Sequence, residues 1–196
     1  MSMIPRPPTH HRLLALVCGA AVLALAACGS SSGPASAPTA TQNVFSNPAW
    51  EKAGPTPSIS AKMVCQKEAQ DAIAEDLGVD ALRVTKGSWN RSEHLYSCTY
   101  VYKNGTIGLS VKEMSSADET TTYFDQVQTK YGRTQKLNGL GQGAWLLANG
   151  DVVARKDYKV LLVDVTGLPK QFAPLMSRSD ASLNVAAAIL ACWSGA

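Results

Sequence analysis

The chain has 196 residues with 18 Lys and Arg against 15 Asp and Glu, but the excess of +3 is misleading about partners. Arg6 and Arg12 precede Cys28 while every acid follows it, so the chain beyond Cys28 is nearly neutral and its lysines and arginines are scattered among acids. Nucleic-acid binding needs a basic patch or stripe and is excluded on that ground.

The first residues have the layout of an export signal. Arg6, His10, His11 and Arg12 form a basic start, residues 13–27 are uncharged and apolar, and small residues lead to Cys28. The apolar run is shorter than the ~20 residues a helix needs to cross the hydrocarbon core. Leu25-Ala26-Ala27-Cys28 has the form of a lipobox, so residues 1–27 are expected to be a lipoprotein signal peptide and Cys28 the lipidated residue. Each buried methylene contributes ~0.8 kcal/mol, so two or three acyl chains hold a protein at a membrane with no segment inside it. The expected location is the outer face of the cytoplasmic membrane.

Residues 28–60 are rich in Ser, Pro, Ala, Thr and Gly and lack periodicity, which predicts a disordered tether. A flexible chain of that length has an r.m.s. reach of about 30 Å. Phe45 and Trp50 are unusual there and read either as incidental or as a docking segment. Residues 61–196 suffice for one extracytoplasmic domain with its own core.

Within that domain the first predicted element is a helix over 62–77. Cys65, Ala69, Ala72, Ile73 and Leu77 share a face, with Ser60 as the N-cap and Gly78 as the stop. A hairpin follows over 95–114, with Asn104-Gly105 expected as a two-residue type I′ turn that sets Tyr102 opposite Ile107, Tyr100 opposite Leu109 and Cys98 opposite Val111. Tyr96, Cys98, Tyr100, Tyr102, Ile107, Leu109 and Val111 then share one face, and Ser97, Thr99, Ser110 and Lys112 the other.

Residues 116–131 predict a second helix. Ser116 and Glu119 form a capping box, and Phe124, Val127 and Tyr131 lie on the buried stripe. A three-stranded meander is expected over 144–165, turning at Asn149-Gly150 and Lys156-Asp157. Its run Val160-Leu161-Leu162-Val163 is apolar on both faces and requires cover on both sides. A last helix over 179–193 turns Val185, Ala186, Ile189, Leu190 and Trp193 inward.

The order predicts an α+β fold: a mostly antiparallel twisted sheet of about five strands packed with about three helices. The lipobox, the tether, the helix with Cys65, the segment Tyr96-Ser97-Cys98-Thr99-Tyr100, the turn Arg155-Lys156-Asp157-Tyr158 and the closing Cys192-Trp193 resemble the small uncharacterised lipoproteins of actinobacterial cell envelopes. The element order is similar to the PsbP-like sandwich that some of them adopt. The resemblance implies a place in the envelope and supplies no catalytic residue.

An exported compartment permits disulfides, and Cys65, Cys98 and Cys192 are available. Cys65 with Cys98 is a candidate pair if the first helix covers the hairpin face; pairs using Cys192, or a reduced domain, are the alternatives. No C-x-x-C occurs, and His94 is the only histidine after Cys28, so redox, zinc and Ser-His-Asp sites lack their residue sets and no cofactor or metal is expected.

Gly139-Leu140-Gly141-Gln142-Gly143 precedes a strand rather than opening a helix, which argues for a turn and against a phosphate loop. Tyr96, Tyr100 and Tyr102 read as core under a helix or as one wall of a lipid or glycan groove. The functional expectation is a non-enzymatic binding or accessory module of the envelope, its partner a protein, lipid or glycan. The alternative is an envelope hydrolase or transferase, which would require a polar cleft at His94 or at Arg155, Lys156 and Asp157.

Overall fold

The structure is a computed structural model and describes residues 52–173 and 175–194. The signal, Cys28, Phe45 and Trp50 lie outside the described residues. Two helices come first, α1 (Ile59–Met63) and α2 (Lys67–Leu77), then strands β1 (Arg83–Val84), β2 (Ser88–Asn90), β3 (Leu95–Tyr102) and β4 (Gly105–Glu113). After α3 (Ala117–Tyr131) come β5 (Arg133–Leu137), β6 (Gly143–Leu147), β7 (Val152–Lys156) and β8 (Lys159–Asp164), the short pair β9 (Gln171–Ala173) and β10 (Met176–Ser177), and α4 (Arg178–Ser194).

The fold is α+β, with an open eight-stranded sheet in the order β1-β3-β4-β8-β7-β6-β5, β2 pairing with β3 off that path. Each strand pairing is antiparallel. The sheet exceeds the expected five strands because β1 and β2 are two and three residues long and β5, Arg-Thr-Gln-Lys-Leu, is mostly exposed. None of these carries a hydrophobic period. The charges on β5 suit an edge strand, where they deter pairing with another chain.

The two sheet faces have separate cores. On one, Tyr100, Leu109, Val111, Leu161 and Val163 pack with Ala69 and Ile73 of α2 and with Val185, Ala186 and Ile189 of α4. On the other, Phe124 and Val127 of α3 cover Leu147, Val153 and Val160, with Trp145 and Leu162 at the margin. The two-sided apolar run in β8 therefore has the double cover it requires.

The hairpin faces are as expected, but its register is not. The loop is Lys103-Asn104, and Tyr102 stands opposite Gly105, Tyr100 opposite Ile107 and Cys98 opposite Leu109. Neither loop residue has positive φ, so the turn is not type I′. The glycine serves a close approach instead. A Cβ on Gly105 would sit 2.4 Å from the Gly167 carbonyl oxygen, and Asn104 Nδ2 donates to the Phe172 carbonyl at 2.9 Å. The shift is two residues, so alternation keeps each side chain on its expected face. The turn after β7 is displaced in the other direction, one residue later than expected, at Asp157-Tyr158, with Asp157 at φ 54°.

The predicted helix over 62–77 is two helices. The Val64 carbonyl accepts from the Tyr100 hydroxyl at 2.7 Å, and the Cys65 carbonyl accepts from Gln70 Nε2 at 2.8 Å. Both carbonyls have partners outside the helical ladder, and the chain bends between Met63 and Lys67. The N-cap is Ser58, whose Oγ accepts from Ala61 N, rather than Ser60. Residues 53–60, expected as the end of the tether, belong to the domain. Ala53 N donates to the Met114 carbonyl, Trp89 Nε1 to the Pro55 carbonyl and Ser58 N to Glu113 Oε1. The second predicted helix starts as expected, with Ser116 Oγ accepting from Glu119 N, although Glu119 reaches Ser115 N rather than Ser116 N.

Candidate functional site

The bend before α2 brings Cys65 onto the hairpin. Cys65 and Cys98 form a disulfide with Cα atoms 6.0 Å apart, which leaves Cys192 as a half-buried free thiol. Of the pairings open at the sequence level, this is the one made.

The three tyrosines behave differently from one another. Tyr100 is buried, and its hydroxyl holds the Val64 carbonyl; burial pushes its pKa well above the ordinary phenol range. Tyr96 is half-buried, its hydroxyl so close to Gly87 that a Cβ there would lie 1.8 Å away. Tyr102 is 4% exposed and meets Phe172 edge-on, with ring centroids 5.2 Å apart. Among the described residues its hydroxyl has no hydrogen-bond partner. Burial, with a smaller contribution from the charge of Asp80, raises its pKa to about 12. Replacing Tyr100 by Phe would leave the Val64 carbonyl buried and unpaired. A loss of about 1–2 kcal/mol in urea-unfolding free energy is expected; an unchanged value would remove this bond from the account of the bend.

Beside Tyr102 lies a cleft of about 310 Å³. Its walls are α2, which supplies Lys67 and Asp71, and the segment leading into β1, which supplies Asp80 and Arg83; Tyr100 and Tyr102 line it from β3. Gly78, in the left-handed conformation at φ 64°, ends α2 and turns the chain toward Asp80. Lys67 and Asp71 form an ion pair along α2. Two cations and two carboxylates therefore border the cleft, and Tyr102, whose buried hydroxyl has no partner among the described residues, forms part of its wall.

The other singled-out residues have structural engagements of their own among the described residues. His94 closes the turn before β3 at φ 48°, lies tilted beside the Trp89 ring with centroids 6.0 Å apart, and its carbonyl accepts from Glu113 N. Arg155 Nη1 donates to Thr121 Oγ1 at 2.6 Å, and the guanidinium lies over the Phe124 ring. Asp157 is joined to Gln142 by two hydrogen bonds. Those bonds also explain the glycine-rich loop. A Cβ on Gly141 would fall 2.5 Å from the Arg155 carbonyl oxygen, so the loop is a tight turn against β7. Among the described residues no three His, Cys, Asp or Glu side chains come together as a metal site would require.

Reading the sequence did not single out two buried ionisable neighbours. Glu113 and Lys159 face each other across β4 and β8, and each is 1% exposed. Burial raises the Glu113 carboxyl above its ordinary range, opposed by the Ser58 hydrogen bond and the charge of Lys62. Burial lowers the Lys159 amine to about 8; its Nζ lies 5.9 Å from the Trp193 ring centroid. Glu113 shares the inward parity of Ile107, Leu109 and Val111, and Lys159 that of Leu161 and Val163, but each is a charged residue at a strand end, where it reads as the point at which the strand stops. No family model, curated protein or solved structure matches this chain.

Proposed function

We propose that this protein is an extracytoplasmic lipoprotein, held by lipid on Cys28 at the outer face of the cytoplasmic membrane, whose folded domain is a non-enzymatic binding or accessory module of the cell envelope. The observation that carries the reading is the Cys65–Cys98 bridge, because such a bond persists in an oxidising, exported compartment. It agrees with the signal layout that ends at Leu25-Ala26-Ala27-Cys28. Helices on both faces of an antiparallel sheet support the finer reading of a PsbP-like sandwich, extended by short edge strands.

Binding is favoured over catalysis by what the candidate catalytic residues do. His94, Arg155 and Asp157 are engaged in a tilted ring contact, cation–π contact and turn closure. The test is the intact mass of the protein extracted from its own membranes. The expected species begins at Cys28 and carries two or three acyl chains; the Cys28→Ala chain should lose that mass and leave the membrane fraction. A mature N-terminus elsewhere, without acyl mass, sinks the anchor. Turnover of an envelope substrate that a point change abolishes sinks the non-enzymatic reading.

A further inference from the structure

We propose that the cleft between α2, β1 and β3 is a binding site for a saccharide unit, held by the Tyr102 hydroxyl together with Asp80 and Arg83. This rests on the reading of the domain as a binding module and is independent of the anchor at Cys28.

The first observation is the orphaned phenol. A buried hydroxyl without a partner is uncommon in a folded protein and calls for a reason. Tyr102 lines the cleft and is 4% exposed, and its hydroxyl is buried and, among the described residues, unpaired. A ligand atom in the cleft can supply the missing partner. With its pKa raised, the phenol stays protonated at neutral pH and presents a donor.

The second observation is the charge balance of the lining. Lys67 and Asp71 neutralise each other on α2, leaving Arg83 and Asp80 at the mouth. An anion would meet two carboxylates, and a cation would meet a lysine and an arginine. A wholly apolar ligand would strip water from all four and pair none, which is costly. A neutral ligand rich in hydroxyls avoids each penalty. One hydroxyl can donate to the Asp80 carboxylate while its neighbours accept from Arg83 and from Tyr102. Ala74, Ala81 and Val84 also line the cleft and offer apolar surface to the C–H face of a sugar ring. The volume sits at the small end of ligand sites, which run about 300–1,000 Å³, and suits one or two rings rather than a polymer.

The experiment uses the full chain in detergent, with tyrosine labelled at the ring carbon that bears the hydroxyl. Glucose, galactose and N-acetylglucosamine are titrated to tens of millimolar, with glycine and inorganic phosphate as comparators. The expected result is a saturable shift of the Tyr102 resonance with at least one sugar. Tyr102→Phe, read by calorimetry, should weaken that sugar at least fivefold, and Asp80→Asn comparably. Tyr102→Phe removes only an unpaired hydroxyl and should melt no lower than the parent, so lost binding cannot be ascribed to lost folding. A response to glycine or phosphate and to no sugar overturns the ligand class. Sugar binding that Tyr102→Phe leaves unchanged overturns the cleft while preserving a binding module. No response to any sugar overturns the proposal; co-purification of a protein with the native lipoprotein would then keep the module reading alive by another surface.

Discussion

Replacing Cys65 and Cys98 together by Ala is expected to remove about 3–4 kcal/mol of stability and to lower the melting temperature by roughly 10 °C. The bond closes a separation of 33 residues, and its loss returns that loop's freedom to the unfolded chain. The native state loses something as well. The bridge ties the bend before α2 to β3, next to the place where Tyr100 holds the Val64 carbonyl. Without it, α2 keeps its apolar face of Ala69, Ile73 and Leu77 but loses its covalent tie to the sheet. The double variant is preferable to either single one, which would leave a new thiol able to pair with Cys192. Thermal melting with and without reductant checks the claim. Reductant should move the parent to the variant's melting point and leave the variant where it is. A parent that ignores reductant while accessible to it, or a variant that melts with the parent, would show that the bridge does little for the fold.

How much of this was legible in the sequence follows from what each signal encodes. Alternation along β3 and β4 fixes which side chains face the core, because a strand's period is two; pairing depends on the turn, and there the Asn104-Gly105 signal misled. Gly105 is required by the passing Gly167 backbone, a tertiary fact with no local trace. The break before α2 is of the same kind. Residues 62–77 have continuous helical spacing, and the bend is explained by a tyrosine 36 positions away from Val64. The two-sided apolar run in β8 did announce α3 and α4 on opposite faces, since burial on both sides leaves no polar alternation. The cleft was least legible. The tyrosine stripe was visible, but which of its members would be satisfied depended on where the chain places Val64, which meets the Tyr100 hydroxyl and leaves that of Tyr102 without a partner among the described residues.

Stability should rise between pH 8 and about pH 10, and the residue responsible is Lys159. Its amine is lowered from 10.5 to about 8 because the charged form is buried in β8, opposite Glu113 and near the Trp193 ring. Above the native pKa the folded state has released this proton while the unfolded chain still holds it, so raising the pH favours folding. Below pH 8 both states hold the proton, and the whole penalty, on the order of 3 kcal/mol, is present. Glu113 does not obscure this window. Its pKa is also raised by burial, so its penalty is present at neutral and alkaline pH and is relieved only on acidification. The tyrosines set the upper limit. Tyr100 and Tyr102 are raised above their ordinary 10.0, so beyond that pH the unfolded chain releases phenol protons that the folded state keeps, and stability falls. Lys159→Met keeps an unbranched apolar stem between Leu161 and Glu113 without the charge. It should lose the rise from pH 8 to 10 while keeping the fall above 10. Urea unfolding at closely spaced pH values, for parent and variant, reads both limbs. A parent whose stability is flat or falling from pH 8 to 10 would mean that Lys159 is solvated in the folded state, and its burial in β8 would have to be redrawn.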